Sequence, residues 1–488
     1  MRRLLSLKNL WVYVLLTLLF AALVIQPIYQ PDFWWHVRVG EVVLARGQVP
    51  TSDLFSYTVP GRPFTYQAWL SGVLFALGYR AGGPTLIILG NALLLTAAYA
   101  LLLWHCREEG HGTRLAVGAT LVALVVSAGN WAVRPQTLSV VLFVALYVVV
   151  DRYRQGKPSP LWAMPLGMAL WANLHGAFVT GFLMLAVTVG GEVVKHWLPG
   201  RPFPVMPWSR LGWLTGSAAV SALAILANPV GLGILRYVLG IWSNPAIRGF
   251  IAEWQPLGTE AGTSLIFLST LVGYPLICVL RRRLPDPTDL LLLLATAWLA
   301  LGGVRNLLWY GLVLAPLLTR ALAGPEERPE PASSPGLTVV LAAMVTLIAV
   351  LSTPWVKGVL PLPSNLQGQL AVDTPVATAD ALLQEGLSGP IFHQMESGSY
   401  LLWRLYPQEK VFIDPRIELY PGEVWEDYFQ ISAGRPGYQE LLDRYGVQVL
   451  LLNCRHQGGL VAQVQGSPAW EMVYENAPED TVVYRRCP

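Results

Sequence analysis

Residues 11–36 read WVYVLLTLLFAALVIQPIYQPDFWWH, and the contrast inside this stretch decides the fold. From Trp11 to Ile25 no residue is charged; a few positions later come Gln30, Pro31 and Asp32, followed by Phe33, Trp34, Trp35 and His36. A chain inside hydrocarbon must satisfy its own backbone hydrogen bonds, so an apolar run of roughly 20 residues predicts a membrane-spanning helix. Arg2, Arg3 and Lys8 precede this run. The run is long for a secretory leader and no small-x-small cleavage site follows it. The first span is therefore expected to be retained, with the N-terminus in the cytoplasm.

The pattern recurs along the chain. Residues 86–103, 138–150 and 290–300 also lack charge. Of 488 residues 54% are hydrophobic and 13% charged, with a mean hydropathy of +0.47; a soluble protein carries about 25% charged residues. The net charge of +3 is too small to suggest nucleic acid. About eleven spans are predicted, near residues 9–28, 84–105, 114–130, 136–151, 159–173, 176–197, 210–228, 263–281, 287–303, 307–322 and 337–354. Arg107, Arg114, Arg152, Arg154, Lys157, Lys195, Arg201, Arg210, Arg281–Arg283, Arg320 and Arg328 then all fall in loops on one side. Cationic loops face the cytoplasm.

Residues 67–80 are apolar but too short to cross easily, and are expected to lie at the outer surface. The first outer loop then runs over residues 29–83. Residues 324–336 (GPEERPEPASSPG) form a predicted cytoplasmic linker. Beyond residue 360 the composition is that of a globular domain. Short β runs at 390–393, 410–413, 447–452, 471–475 and 481–484 are interleaved with helical patterns at 399–405, 422–431 and 438–445, which predicts a parallel sheet ending in a hairpin. The expected fold class is an α-helical polytopic membrane domain (residues 1–354) plus a C-terminal extracytoplasmic α/β domain (residues 355–488). Cys454 and Cys487 share that domain, where a bridge and two free thiols are both open.

Polar residues that hydropathy does not explain mark function in such a chain. Nearly all fall at the predicted outer ends of spans: Asp32, His36, Glu41 and Asp53 in the first loop, Arg134 after the third span, and Asn173 with His175 between the fifth and sixth. Glu253 lies in a long outer loop and Arg305 between the ninth and tenth spans. One cavity open to the outer leaflet would gather them. A carboxylate leaving hydrocarbon is partly desolvated and becomes a better proton acceptor near neutral pH, which suits Asp32 to a base. Arg134 and Arg305 offer planar permanent charge suited to phosphate, and His175 suits phosphate binding or proton transfer.

Structural readings stand beside these. Asp32 can cap the helix that follows it, and Arg38 and Glu41 can form a local ion pair. Trp34 and Trp35 fit an interfacial belt, Arg134 and Arg305 snorkelling anchors. Asn173 and His175 can satisfy backbone freed at a helix break.

Gln30-Pro31-Asp32 at the mouth of the first span, Gly40-Glu41, residues 46–50 (RGQVP), Gly61-Arg62-Pro63 and Trp69-Leu70 resemble the first periplasmic loop of GT-C membrane glycosyltransferases. The likeness is nearest to the bacterial branch acting on lipid A with aminoarabinose and to protein O-mannosyltransferases. Asp32 occupies the place of that family's catalytic carboxylate, although a second acid usually follows it there and Phe33 stands here. No Asp-x-Asp pattern occupies the loop, which disfavours the metal-dependent oligosaccharyltransferase variant, and no metal ligand or cofactor is assigned from the sequence. Asn173-Leu174-His175-Gly176 and residues 411–416 (VFIDPR) resemble an uncharacterised bacterial set.

The resemblance implies inverting transfer from a polyprenyl-phosphate-linked sugar to a glycan, lipid or protein acceptor at the outer face of the cytoplasmic membrane. Asp32 would act as base, Arg134, Arg305 or His175 would hold the departing phosphate, and Glu41 or Asp53 would orient the acceptor. Two non-catalytic readings remain: a transporter or flippase for a lipid-linked glycan, and an envelope assembly protein working through its outer domain.

Overall fold

The computed structural model describes residues 7–108, 112–198, 203–244, 247, 249, 251–258, 262–324 and 335–487. Its α-helices up to residue 351 are, in chain order, α1 (Leu7–Val24), α2 (Gln30–Arg46), α3 (Trp69–Glu108), α4 (Thr113–Ser127), α5 (Gln136–Arg154), α6 (Ala163–Leu174), α7 (Phe178–Trp197), α8 (Trp208–Ala224), α9 (Gly233–Ser243), α10 (Gly262–Leu280), α11 (Pro287–Gly302), α12 (Leu307–Leu322) and α13 (Pro335–Leu351), and further helices follow among the strands of the C-terminal residues. A helix stands at every predicted span, and α2, α9 and the first part of α3 are the additional ones. Among the described residues five helices are individually long and apolar enough to cross a membrane, with shorter apolar helices besides. The chain is a polytopic helical membrane protein. The predicted linker at 324–336 lies mostly outside the described residues.

The chain divides into two compact units. The first contains residues up to Gln26, Leu89–Arg236 and Arg248–Leu360; the second contains Pro27–Ile88, Tyr237–Ile247 and Pro361–Pro488. In the first unit α12 is buried along nearly its whole length. Such a helix needs no polar face, and its sequence accordingly has no stripe. Close approach is built from small residues: a Cβ on Gly311 of α12 would stand 2.9 Å from the Ala123 carbonyl of α4, and one on Gly191 of α7 would meet Thr288 of α11 at 2.7 Å.

The C-terminal end of α5 carries a buried ionic network. Arg154 binds Asp151, Glu192 and Asp289 at 2.7–3.0 Å and Asp286 at 3.1 Å. Lys195 binds Glu192 and Asp286, and Arg320 binds Asp151 and Asp289. These charges tie α5, α7, α11 and α12 together. The positive-inside pattern had marked Arg154, Lys195 and Arg320 without their carboxylate partners, which the fold brings in from separate helices.

The second unit is a composite. The sequence grouped the first loop with the membrane helices, whereas this loop packs with residues 361–488. Val411 donates its N–H to Phe55 O at 3.0 Å and accepts from Tyr57 N at 3.1 Å. The predicted strand at 410–413 is consequently reduced to isolated bridges, to Ser56 and Ile391. Four strands remain, β1 (Ile391–His393), β2 (Val449–Asn453), β3 (Trp470–Asn476) and β4 (Thr481–Arg486), ordered β1-β2-β4-β3. Only β1 and β2 are parallel; β4 pairs antiparallel with β2 and closes the predicted hairpin with β3. Cys454 and Cys487 are both free thiols.

Two glycine sites shape this unit. The α3 helix breaks at Gly82–Gly83, where Gly83 adopts φ 57°, the left-handed region that glycine enters without penalty. The break separates the short segment, expected at the surface, from the span that begins at Pro84. A Cβ on Gly40 of α2 would stand 2.0 Å from the Gly72 carbonyl, so only glycine lets α2 and α3 cross there.

Candidate active site

In the membrane unit, the turns that precede α5 and α12 each hold one of the predicted phosphate-binding cations. Arg134 sits just before α5 and is largely buried. Its Nη1 donates to both carboxylate oxygens of Glu253 at 2.7 Å, and its Nη2 to Asn130 Oδ1 at 3.2 Å. Arg305 lies in the 3-10 turn Val304–Asn306 between α11 and α12. Its Nη2 reaches Gln136 Oε1 at 3.5 Å, and its guanidinium lies 4.5 Å from the centre of the Trp254 ring. Glu253 and Trp254 are neighbours in one 3-10 turn, Ala252–Trp254. A single turn therefore touches both arginines, and Val304 N donating to Gln255 O at 3.2 Å fixes it against the Arg305 turn.

His175 ends α6 in an extended conformation. Trp171 Nε1 donates to Ser139 Oγ at 2.8 Å, and the Ser139 hydroxyl lies 2.9 Å from His175 Nδ1. Ala177 N also donates to that nitrogen. Nδ1 therefore accepts, and the ring proton belongs on Nε2. Asn173 donates to the Ala169 and Ala227 carbonyls at 2.9 and 2.8 Å, satisfying backbone where the helix breaks. A narrow apolar crevice lies between α5, α7, α11 and α12, lined by Phe143, Met184, Val187, Leu292 and Trp309. Phe143 packs edge-on against Trp171, so this crevice adjoins the His175–Ser139 pair.

In the second unit Asp32 stands in the first turn of α2. Tyr29 is the N-cap and makes no side-chain cap bond. Asp32 thus does not fill the N-cap position; its charge sits where the helix dipole favours an anion. His36, one turn on, is buried against Trp35 at a ring separation of 3.5 Å. Burial pushes its pKa down to about 3, so the imidazole is neutral. Glu41 pairs with Arg38 at 2.8 Å, as the structural reading expected. Arg38 also donates to the carbonyls of Trp403 and Tyr406, holding α2 to the helix Met395–Leu405.

Asp53 is saturated. It accepts from Phe55 N, Ser56 N and Ser56 Oγ, and pairs with Arg416 at 2.8 Å. Arg416 also binds Asp414 through two nitrogens, at 2.8 and 2.6 Å, and donates to Tyr66 Oη at 3.0 Å. The side chains of Asp53, Asp414 and Arg416 are all fully buried. Burial alone would raise the Asp414 pKa, but the Arg416 guanidinium outweighs it and holds this carboxyl below its ordinary range. Neither Asp414 nor Arg416 stood out as a charge partner in the sequence. The only signal was the run 411–416, which does not name Asp53 as its target.

By sequence the chain matches no family model and no curated protein. By structure it is similar to membrane glycosyltransferases. It superposes on ArnT from Cupriavidus metallidurans in the apo state with a TM-score of 0.52 at 15% identity, covering 97% of both chains. The Archaeoglobus fulgidus oligosaccharyltransferase, tethered to an acceptor peptide containing the NVT sequon, gives 0.50 at 11% identity, covering 98% of this chain and 74% of that one. The mycobacterial arabinofuranosyltransferase AftD gives 0.50 at 19% identity, covering 99% and 41%. The chain has the GT-C fold.

Proposed function

We propose that this protein is a membrane glycosyltransferase that moves a sugar from a polyprenyl-phosphate donor to an acceptor at the outer face of the cytoplasmic membrane, with inversion. The observation that carries the reading is the Arg134–Arg305 cluster, set at the ends of helices in a fold shared with three glycosyltransferases. Two guanidiniums with polar neighbours supply the charge that a departing phosphate needs as it leaves the sugar.

Asp32 takes the proton from the acceptor hydroxyl as the oxygen attacks the anomeric carbon; the C–O bond to phosphate breaks on the opposite face. Arg134, Arg305 and His175 stabilise the phosphate released. Glu41, already paired with Arg38, and His36, neutral and packed, shape the acceptor side. Asp53 contributes by holding the first loop in place rather than by contact with substrate.

Reconstituted protein supplied with a panel of radiolabelled undecaprenyl-phosphate sugars is expected to release undecaprenyl phosphate. Asp32→Asn is expected to abolish release while donor binding stays intact. Full activity in Asp32→Asn would remove this residue from the mechanism; no release from any donor with the wild-type chain would favour the transporter or assembly readings.

A further inference from the structure

We infer that Glu253 is an internal stand-in for the donor's phosphate, and that a phosphate-bearing lipid enters by exchange with it. The inference rests on the donor reading above and adds what that reading lacks, namely what holds the two arginines before substrate arrives. Arg134 is nearly buried, and both Glu253 oxygens lie 2.7 Å from its Nη1. Glu253 itself is 39% exposed. A buried cation thus faces a carboxylate that reaches it from the solvent side. Trp254, the next residue, covers Arg305 with its ring.

The chemistry of the pairing explains why this contact suits replacement. A carboxylate and a phosphate present the same kind of anionic oxygen edge to a guanidinium. Leaving Arg134 bare would strand a buried charge, which is costly; a resident carboxylate avoids that state. The pair is half-open to water, so its own strength is that of a partly screened ion pair and an incoming phosphate can outcompete it. The Ala252–Trp254 turn contains no buried residue. Its displacement therefore uncovers no core. Movement of this one turn would release Arg134 and Arg305 together.

The test is binding of undecaprenyl phosphate and of undecaprenol to the full-length protein in detergent, for the wild type, Glu253→Gln, Arg134→Gln and Arg305→Gln. Glu253→Gln keeps the side-chain shape and removes the competing charge. It is expected to bind undecaprenyl phosphate up to about fivefold more tightly, the equivalent of one partly exposed ion pair, with undecaprenol binding unchanged. Unchanged or weaker phosphate binding in Glu253→Gln, with Arg134→Gln still losing affinity, overturns the exchange and leaves the donor site standing. Arg134→Gln and Arg305→Gln both binding undecaprenyl phosphate like the wild type would overturn the donor reading itself. Hydrogen exchange of residues 251–258 supplies a readout apart from affinity: undecaprenyl phosphate is expected to speed exchange there, and undecaprenol to leave it alone.

Discussion

Arg416→Met is expected to loosen the second unit more than any other single change at the Asp53–Arg416–Asp414 cluster. The magnitude follows from the charges left behind. At an effective dielectric of about 20, an ion pair near 4 Å is worth about 4 kcal/mol. Arg416 makes two such pairs, while its two carboxylates repel each other across it at roughly twice the separation, for about 2 kcal/mol. Removing the guanidinium forfeits both attractions and strands two buried carboxylates, so a loss at or above the 3–5 kcal/mol typical of a broken buried pair is expected. Asp53→Asn forfeits one attraction and relieves the repulsion, leaving the neutral Arg416–Asp414 pair with its two hydrogen bonds intact. Its cost should be only about 1–2 kcal/mol. Asp414→Asn, which disrupts the two-nitrogen contact, should fall between.

Hydrogen exchange of residues 51–66 and 411–420 reads these opening energies locally, without unfolding the membrane helices. The reasoning is refuted if Asp53→Asn loosens both segments as much as Arg416→Met. It is refuted differently if Asp53→Asn leaves exchange untouched yet abolishes transfer, for Asp53 would then act on substrate.

Three further outcomes are expected. His36 and His393 have pKa values lowered by burial to about 3 and about 4. An unfolded chain takes up these protons near pH 6.5, so the stability of this unit should be full above that pH and fall by about 1.4 kcal/mol per pH unit per histidine as pH drops towards 4. A flat stability profile between pH 7 and 4.5 would contradict it. His393 should resist replacement, because its ring bonds both Gln394 O and Phe412 N. In the membrane unit, Arg154→Met leaves buried carboxylates on three helices and should destabilise the bundle by about 3–5 kcal/mol. Arg154→Lys should recover only part of this, as a point charge cannot reach four acids at once; unaltered thermal unfolding in detergent for Arg154→Met would dismiss the network as a tie.

The helical membrane class was legible in the sequence because hydrocarbon imposes a local rule: each span must be apolar and must bond its own backbone, so hydropathy and turn signals marked about eleven segments, and a helix stands at each. The break at Gly82–Gly83 was legible for a related reason, since Gly-Gly-Pro disrupts any helix locally. The Arg38–Glu41 pair, three residues apart on one helix, was equally within reach. What tertiary structure decided involves partners distant in the chain. Asp53 was a candidate acid like its neighbours until residues 411–416 folded against it, and Arg154 was one cation among many until α7 and α11 brought carboxylates to it. Glu253 was one candidate among the outer-loop polar residues, and only packing set it on Arg134 and its neighbour Trp254 on Arg305. Hydropathy is a property of a segment, whereas a charge acquires its role from the charge it meets, and three-dimensional packing alone chooses that neighbour.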